Sequence, residues 1–232
     1  MKSIGLIGGM SWHATLTYYR LINERVQRKL GGIASAEITI RSLNLAEMQP
    51  LATAERWDEV TAILVDHARV LERAGVDVIA IASNTPHMVA GEVSAAIDTP
   101  LLHIADAAGD RLSSDKQRTV ALVGTRFVMD NAFYADRLRD QYGLEVLRPD
   151  EHGRDAIHTL IFDELCRGRT GESTRAKLLV ELRKLRERGA DAILLACTDF
   201  STLFESGDCG LPLYDTTAIH AEALAMIAVE TA

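Results

Sequence analysis

Short aliphatic runs alternate along this chain with longer segments of helical period. The runs cover residues 3–7, 37–43, 76–82, 100–104, 119–123, 143–147, 192–196 and 211–214. Runs this short and this apolar suit strands covered on both faces of a parallel sheet. Between them lie helix-like segments: one from the Gly8-Gly9 turn to about Leu30, then 54–74, 129–142, 150–166, 172–188 and 215–229. Within 54–74, Trp57, Val60, Ile63, Leu64, Ala68, Val70 and Leu71 recur on one helical face and are expected in the core. Gly75 is expected to close that helix. Strand and helix in alternation predict an α/β protein with parallel sheets flanked by helices.

The pattern repeats itself. Gly75-Val76-Asp77-Val78-Ile79-Ala80-Ile81-Ala82-Ser83-Asn84-Thr85 aligns without a gap on Gly189-Ala190-Asp191-Ala192-Ile193-Leu194-Leu195-Ala196-Cys197-Thr198-Asp199, an offset of 114 residues in a chain of 232. Ser83 falls opposite Cys197. Each polar tip follows an aliphatic run, at the carboxyl end of a strand, where open α/β sheets place their chemistry. The expected organisation is two similar domains, 1–114 and 115–232, divided where Ser-Ser-Asp-Lys-Gln breaks the pattern. The closing helix, 216–232, is free in this reading to pack back on the first domain.

Composition narrows the classes. Apolar residues make up 47% of the chain, enough for a sizeable core. A net charge of −8 and the lack of a basic run argue against a nucleic-acid partner. No apolar run approaches the roughly 20 residues of a membrane helix, and no signal peptide is visible. The three cysteines, Cys166, Cys197 and Cys209, lack C-x-x-C spacing, which fits a reduced, cytoplasmic protein. Gly8-Gly9 is not a dinucleotide fingerprint, because no third glycine stands in register. No P-loop and no metal-ligand spacing occur, so neither a cofactor nor a metal is expected. The expected partner is a small molecule.

Candidate chemistry sits on the two strand tips. A thiolate is a good base for a carbon acid, and Cys197 stands where a strand ends and a helix is expected to begin. The helix end would lower the thiol pKa; Asp199 would raise it or accept its proton. Cys166 reads as a small buried hydrophobe. Asn84, Thr85, Thr125 and Thr198 supply neutral donors. With Gly9, Met10 and Ser11 at the first turn, they could bind a carboxylate and stabilise an enediolate. Removing an α-proton from one face and returning one to the other inverts a carbon centre. Ser83 and Cys197 would flank that carbon if a pseudo-twofold axis relates the halves. His87 and His103 read as hydrogen-bonded loop histidines.

Taken together, several stretches resemble the aspartate/glutamate racemase family over nearly the whole chain. They are Gly5-Leu6-Ile7-Gly8-Gly9-Met10-Ser11-Trp12, Tyr18-Tyr19-Arg20-Leu21-Ile22-Asn23-Glu24, Ser83-Asn84-Thr85-Pro86-His87, Leu102-His103-Ile104-Ala105-Asp106, Gly124-Thr125-Arg126, Ala196-Cys197-Thr198-Asp199 and Asp215-Thr216-Thr217-Ala218-Ile219-His220. The resemblance implies two Rossmann-like (flavodoxin-like) domains facing each other across an interdomain cleft. It also implies cofactor-independent racemisation by two side-chain bases, commonly in a homodimer. The chain departs from the family pattern at Ser83, where most relatives carry a cysteine. A serine hydroxyl is a far weaker acid than a thiol, so Ser83 is a poor base but can donate or relay a proton if Asn84 or His87 orients it. The resemblance points to aspartate or glutamate as substrate. Arg41, Arg126 and Arg167 are candidates for the second carboxylate, each read first as a surface arginine. Two alternatives stay open: a single-cysteine decarboxylase like the arylmalonate decarboxylases, and a catalytically impaired amino-acid-binding protein.

Overall fold

The computed structural model describes residues 1–167, 171–200, 203–204 and 208–230; the side chains of Arg167 and Asp199 lie outside the described set. The chain divides into two compact units. The first comprises Met1–Ile104 with His220–Ala232, the second Ala105–Ile219.

In the first unit, the elements are β1 (Ile4–Gly8), α1 (Trp12–Leu30), β2 (Ile38–Ser42), α2 (Leu45–Thr53), α3 (Trp57–Arg73), β3 (Val78–Ile81) and α4 (Ala90–Ala95). Its sheet has the order β2-β1-β3, all parallel. Side chains alternate across it. Ile4, Leu6, Val78, Ala80 and Ala82 pack with Tyr18, Ile22 and Val26 of α1. Ile7, Ile79 and Ile81 pack with Val60, Leu64, Ala68 and Leu71 of α3. Both faces are therefore covered, which is why β1 and β3 read as unbroken apolar runs.

The second unit holds α5 (Ile104–Ser114) from its second residue on, β4 (Thr119–Gly124), α6 (Arg126–Asp130), α7 (Ala132–Tyr142), β5 (Glu145–Leu147), α8 (Glu151–Asp163), α9 (Glu172–Glu187), β6 (Ala192–Ala196) and β7 (Leu213–Asp215). Its parallel sheet runs β5-β4-β6-β7. Ile193 and Leu195 of β6 pack against Ile157 and Ile161 of α8 and Leu178, Leu182 and Leu185 of α9. The last helix, α10 (Thr216–Val229), starts in the second unit and ends in the first, where Ala221, Leu224, Ala225 and Ala228 are wholly buried beside Ile4 and Leu6.

The repeat seen in the sequence has a structural counterpart. Gly75 (φ 77°) and Gly189 (φ 96°) leave α3 and α9 in the left-handed conformation that glycine adopts without a Cβ penalty. Two residues later an aspartate clasps the neighbouring strand. The Asp77 carboxylate accepts from the Ser3 amide at 2.6 Å, and the Asp77 amide donates to the Ser3 carbonyl at 3.0 Å. Asp191 does the same to Thr119, at 3.0 and 2.7 Å. The repeat extends to the next strand: Ile79 donates to the Pro100 carbonyl and Ile193 to that of Pro212.

Some expectations change. The strand expected over 100–104 is one bridge between Ile79 and Leu101, because Ile104 already opens α5. The single helix expected over 129–142 breaks at Asn131, whose extended backbone (φ −81°, ψ 151°) ends α6 and starts α7. The helix over 150–166 stops at Asp163, followed by a 3₁₀ turn at Leu165–Arg167. Where a helix is expected right after Cys197, the described residues form a 3₁₀ turn, Thr198–Phe200. Among the described residues, no helix is long and apolar enough to cross a membrane.

Candidate functional site

All strands in each sheet run parallel, so their carboxyl ends lie along one edge. In the first unit that edge carries the turns Gly9–Ser11 and Ser83–His87. Gly9 has φ 88°, and a Cβ there would lie 2.0 Å from the Leu43 carbonyl oxygen, so only glycine fits. The Gly9 amide donates to Thr15 Oγ1 at 2.8 Å, and Thr15 Oγ1 donates to the Ser11 carbonyl at 3.1 Å. The Gly9 N–H is thus already engaged by the protein. Ser11 is the N-cap of α1, its Oγ accepting from the Ala14 amide at 3.4 Å. Met10 is buried between them.

Ser83 lies just beyond β3 and is partly buried; Asn84 beside it is buried, and Thr85 opens a 3₁₀ turn, Thr85–Val89, with Pro86 in its first positions. Pro86 fits there because its missing N–H would be unpaired in any case. His87, buried in that turn, places Nδ1 2.8 Å from the Ser83 carbonyl and accepts the Ile104 amide at Nε2 at 3.2 Å.

In the second unit, the edge carries Gly124–Arg126, Cys197–Phe200 and Asp215–Thr217. Gly124 is a close-approach glycine: a Cβ would sit 2.6 Å from the Ala196 carbonyl oxygen. Cys197 directly follows β6 and is 6% exposed, set against the apolar cluster that includes Leu195 and Phe200. Its carbonyl accepts the Phe200 amide at 3.2 Å. Thr198 and Thr125 are partly buried beside it on the sheet edge. The Asp199 side chain lies outside the described residues. Asp215 caps α10, accepting from the Thr217 amide at 2.8 Å, and Thr216 Oγ1 donates to the Leu195 carbonyl at 3.0 Å.

The three candidate arginines fare differently. Arg126 bonds three carboxylates, Asp130 at 2.8 Å, Glu151 at 2.8 Å and Asp155, which hold its guanidinium pKa above the usual value. A cation with three anionic partners has little left for a substrate carboxylate. Arg41 is exposed on β2, in register with Ile7. The Arg167 side chain lies outside the described residues. His158 accepts the Arg126 amide at Nδ1 at 3.2 Å; burial, then the Arg126 charge, push its pKa below 6.5. Among the described residues, no cluster of three or more His, Cys, Asp or Glu is placed to hold a metal.

Sequence reasoning missed two groups. Thr15 looks like an ordinary residue of a helix's first turn, yet it ties Gly9 to Ser11; the only hint is a Gly-Gly turn followed by a hydroxyl four positions after the cap. His220 lies 202 residues from Tyr18, whose hydroxyl it meets at 2.9 Å. Such a pairing leaves no mark on local periodicity.

A duplicated α/β protein, with polar tips at equivalent places in its two parallel sheets, is the class this architecture defines. The chain belongs to the Asp/Glu/Hydantoin racemase family, whose model matches residues 7–224. It is 28% identical over 222 residues to the broad specificity amino-acid racemase RacX of Bacillus subtilis, covering 94% of this chain and 95% of that one. A Yersinia pestis crystal structure assigned to the Asp/Glu racemases is 40% identical, with a TM-score of 0.93 over 99% of this chain and all (100%) of that one. An aspartate racemase homologue from Pyrococcus horikoshii is 31% identical, with a TM-score of 0.86 over 99% of this chain and 100% of that one.

Proposed function

We propose that the protein is a cofactor-independent amino-acid racemase that interconverts L and D forms, with aspartate and glutamate as leading substrates. One observation carries the reading: Ser83 and Cys197 occupy the same place in the two repeats, each just past a buried strand. The names of the relatives support it, RacX as an amino-acid racemase and the Pyrococcus protein as an aspartate racemase homologue.

In the proposed reaction the Cys197 thiolate removes the α-proton of the L-substrate. A C–H bond breaks, an S–H bond forms, and the electron pair moves into the carboxylate as an enediolate. Asn84, Thr85, Thr125 and Thr198 are neutral donors suited to that charge. Ser83 then gives its hydroxyl proton to the opposite face, and solvent returns a proton to the serine oxygen. The Asp199 carboxylate is assigned to the thiol's proton balance. Gly9, Met10 and Ser11 are assigned to the substrate side of the first turn, with the Gly9 amide acting through the shape of the turn rather than as a donor. The engagement of Arg126 leaves Arg41 as the stronger described arginine candidate for a second carboxylate.

The reading includes a cytoplasmic homodimer. Trp12, Leu16 and Tyr19, exposed at 59%, 57% and 49%, form an apolar stripe along α1 that suits a second copy. Light scattering of the parent and of Leu16→Lys checks it, with a shift towards monomer expected in the variant.

The main test is a panel of L-amino acids followed by chiral chromatography. Conversion to the D-form is expected, with Cys197→Ala abolishing α-proton exchange of the L-substrate in heavy water. Equal exchange in the variant and the parent overturns the assignment of Cys197. Turnover of malonates without any racemisation overturns the racemase reading in favour of a decarboxylase.

A further inference from the structure

Resting on the reading of Ser83 as the far-face proton donor, we infer that His87 is a positioning residue: the keystone of a buried histidine network that fixes the Ser83 peptide. His87 is 2% exposed and both ring nitrogens face main chain. Nε2 receives the Ile104 N–H at 3.2 Å, and Nδ1 lies 2.8 Å from the Ser83 carbonyl. An amide N–H can only donate and a carbonyl can only accept. The ring is therefore neutral, with its hydrogen on Nδ1, and a second proton has no place without breaking the Ile104 bond.

His220 is wholly buried and bonds through its opposite nitrogen to main chain. Its Nε2 faces the Leu102 carbonyl at 3.1 Å and bears a hydrogen, and its Nδ1 shares a hydrogen bond with the Tyr18 hydroxyl at 2.9 Å. The His87 ring lies edge-to-face with both other members, 4.6 Å from His103 and 5.9 Å from His220, centroid to centroid. His87 is thus wedged between the β3 tip, the 102–104 segment and α10. Its bond to the Ser83 carbonyl sets the tilt of the peptide after Ser83, and with it the direction of the Ser83 Cα–Cβ bond. Both ring nitrogens bond main chain, so in this inference His87 aims the donor rather than carrying the proton.

Two variants separate its bonds. In His87→Asn the amide nitrogen overlays Nδ1 and keeps the donor to Ser83. In His87→Gln the side-chain oxygen reaches the Nε2 position and keeps the acceptor for Ile104. The readout is the ratio of inversion to exchange with retention, measured early with an L-substrate in heavy water. Partial unfolding lowers both terms equally and leaves this ratio unmoved. In His87→Gln the ratio is expected to fall by about 10- to 100-fold, the scale of a displacement near 1 Å, while His87→Asn recovers to within about threefold. A parental ratio in His87→Gln, or an equal defect in both variants, overturns the inference. Ser83→Ala distinguishes the two levels. Full inversion in Ser83→Ala removes the Ser83 reading and this inference with it, whereas defective inversion there beside a parental ratio in His87→Gln removes the inference alone.

Discussion

The amide of Gly9 and the hydroxyl of Thr15 meet at 2.8 Å, across the turn that joins the first strand to the first helix. The same hydroxyl donates to the Ser11 carbonyl, so one side chain braces both ends of the Gly9–Ser11 turn. Thr15→Val keeps the shape and removes both bonds, leaving a buried N–H unpaired. Urea unfolding should show a loss of about 1–3 kcal/mol. Thr15→Ser should recover most of it. An unchanged midpoint in Thr15→Val would mean the turn stands without its brace.

Two glycines with similar positive φ should respond very differently to alanine. At Gly75 (φ 77°) a Cβ meets nothing within 4 Å, so Gly75→Ala should cost about 1–2 kcal/mol of backbone strain alone. At Gly9 (φ 88°) the Cβ would overlap the Leu43 main chain, which cannot rotate away. Gly9→Ala should therefore yield little folded protein, or a folded protein with a displaced turn and no activity. Melting curves of the two variants side by side check the contrast.

His158 supplies a pH signature. Its folded pKa is held below 6.5, first by burial and then by the Arg126 charge. The unfolded chain therefore binds this proton more readily than the folded one. The stability it protects is fully present above pH 6.5 and is lost as pH falls through the lower folded value. The bond to the Arg126 amide goes with it. His158→Asn, which does not titrate, should flatten the stability-versus-pH curve between about 7 and 5. Denaturant midpoints at half-unit steps measure it; parallel curves for parent and variant would contradict the assignment.

Ser83→Cys tests the asymmetry of the proposed pair. A thiol ionises far more readily than a hydroxyl, so the variant should accept the α-proton of the D-form more readily. The two enantiomers have equal free energy, so kcat/KM must rise together in both directions. The individual kcat and KM for the D-substrate should change most. Unaltered D-turnover would take Ser83 out of the chemistry.

The sequence carried the strands well where both sheet faces are covered, as at β6, whose bounds match the expected run at both ends. Uniform burial forces uniform apolarity. It carried α2 and α5 poorly. Pro50 inside α2 and the small alanines of α5 weaken the helical pattern, and α5 begins within an aliphatic run that reads as a strand. Ser83 and Cys197 stood out because the repeat aligned them. The Arg126 partners, the Thr15 brace and the His87–His220 network did not. They depend on side chains brought together from distant elements, and no residue spacing records those meetings.

The Asp77 and Asp191 clasps mean that each repeat registers its own sheet with its own local hardware. On the proposed assignment, such a duplicated scaffold holds a hydroxyl at one strand tip and sulfur at the other, so lopsided chemistry sits on a frame that stays even-handed.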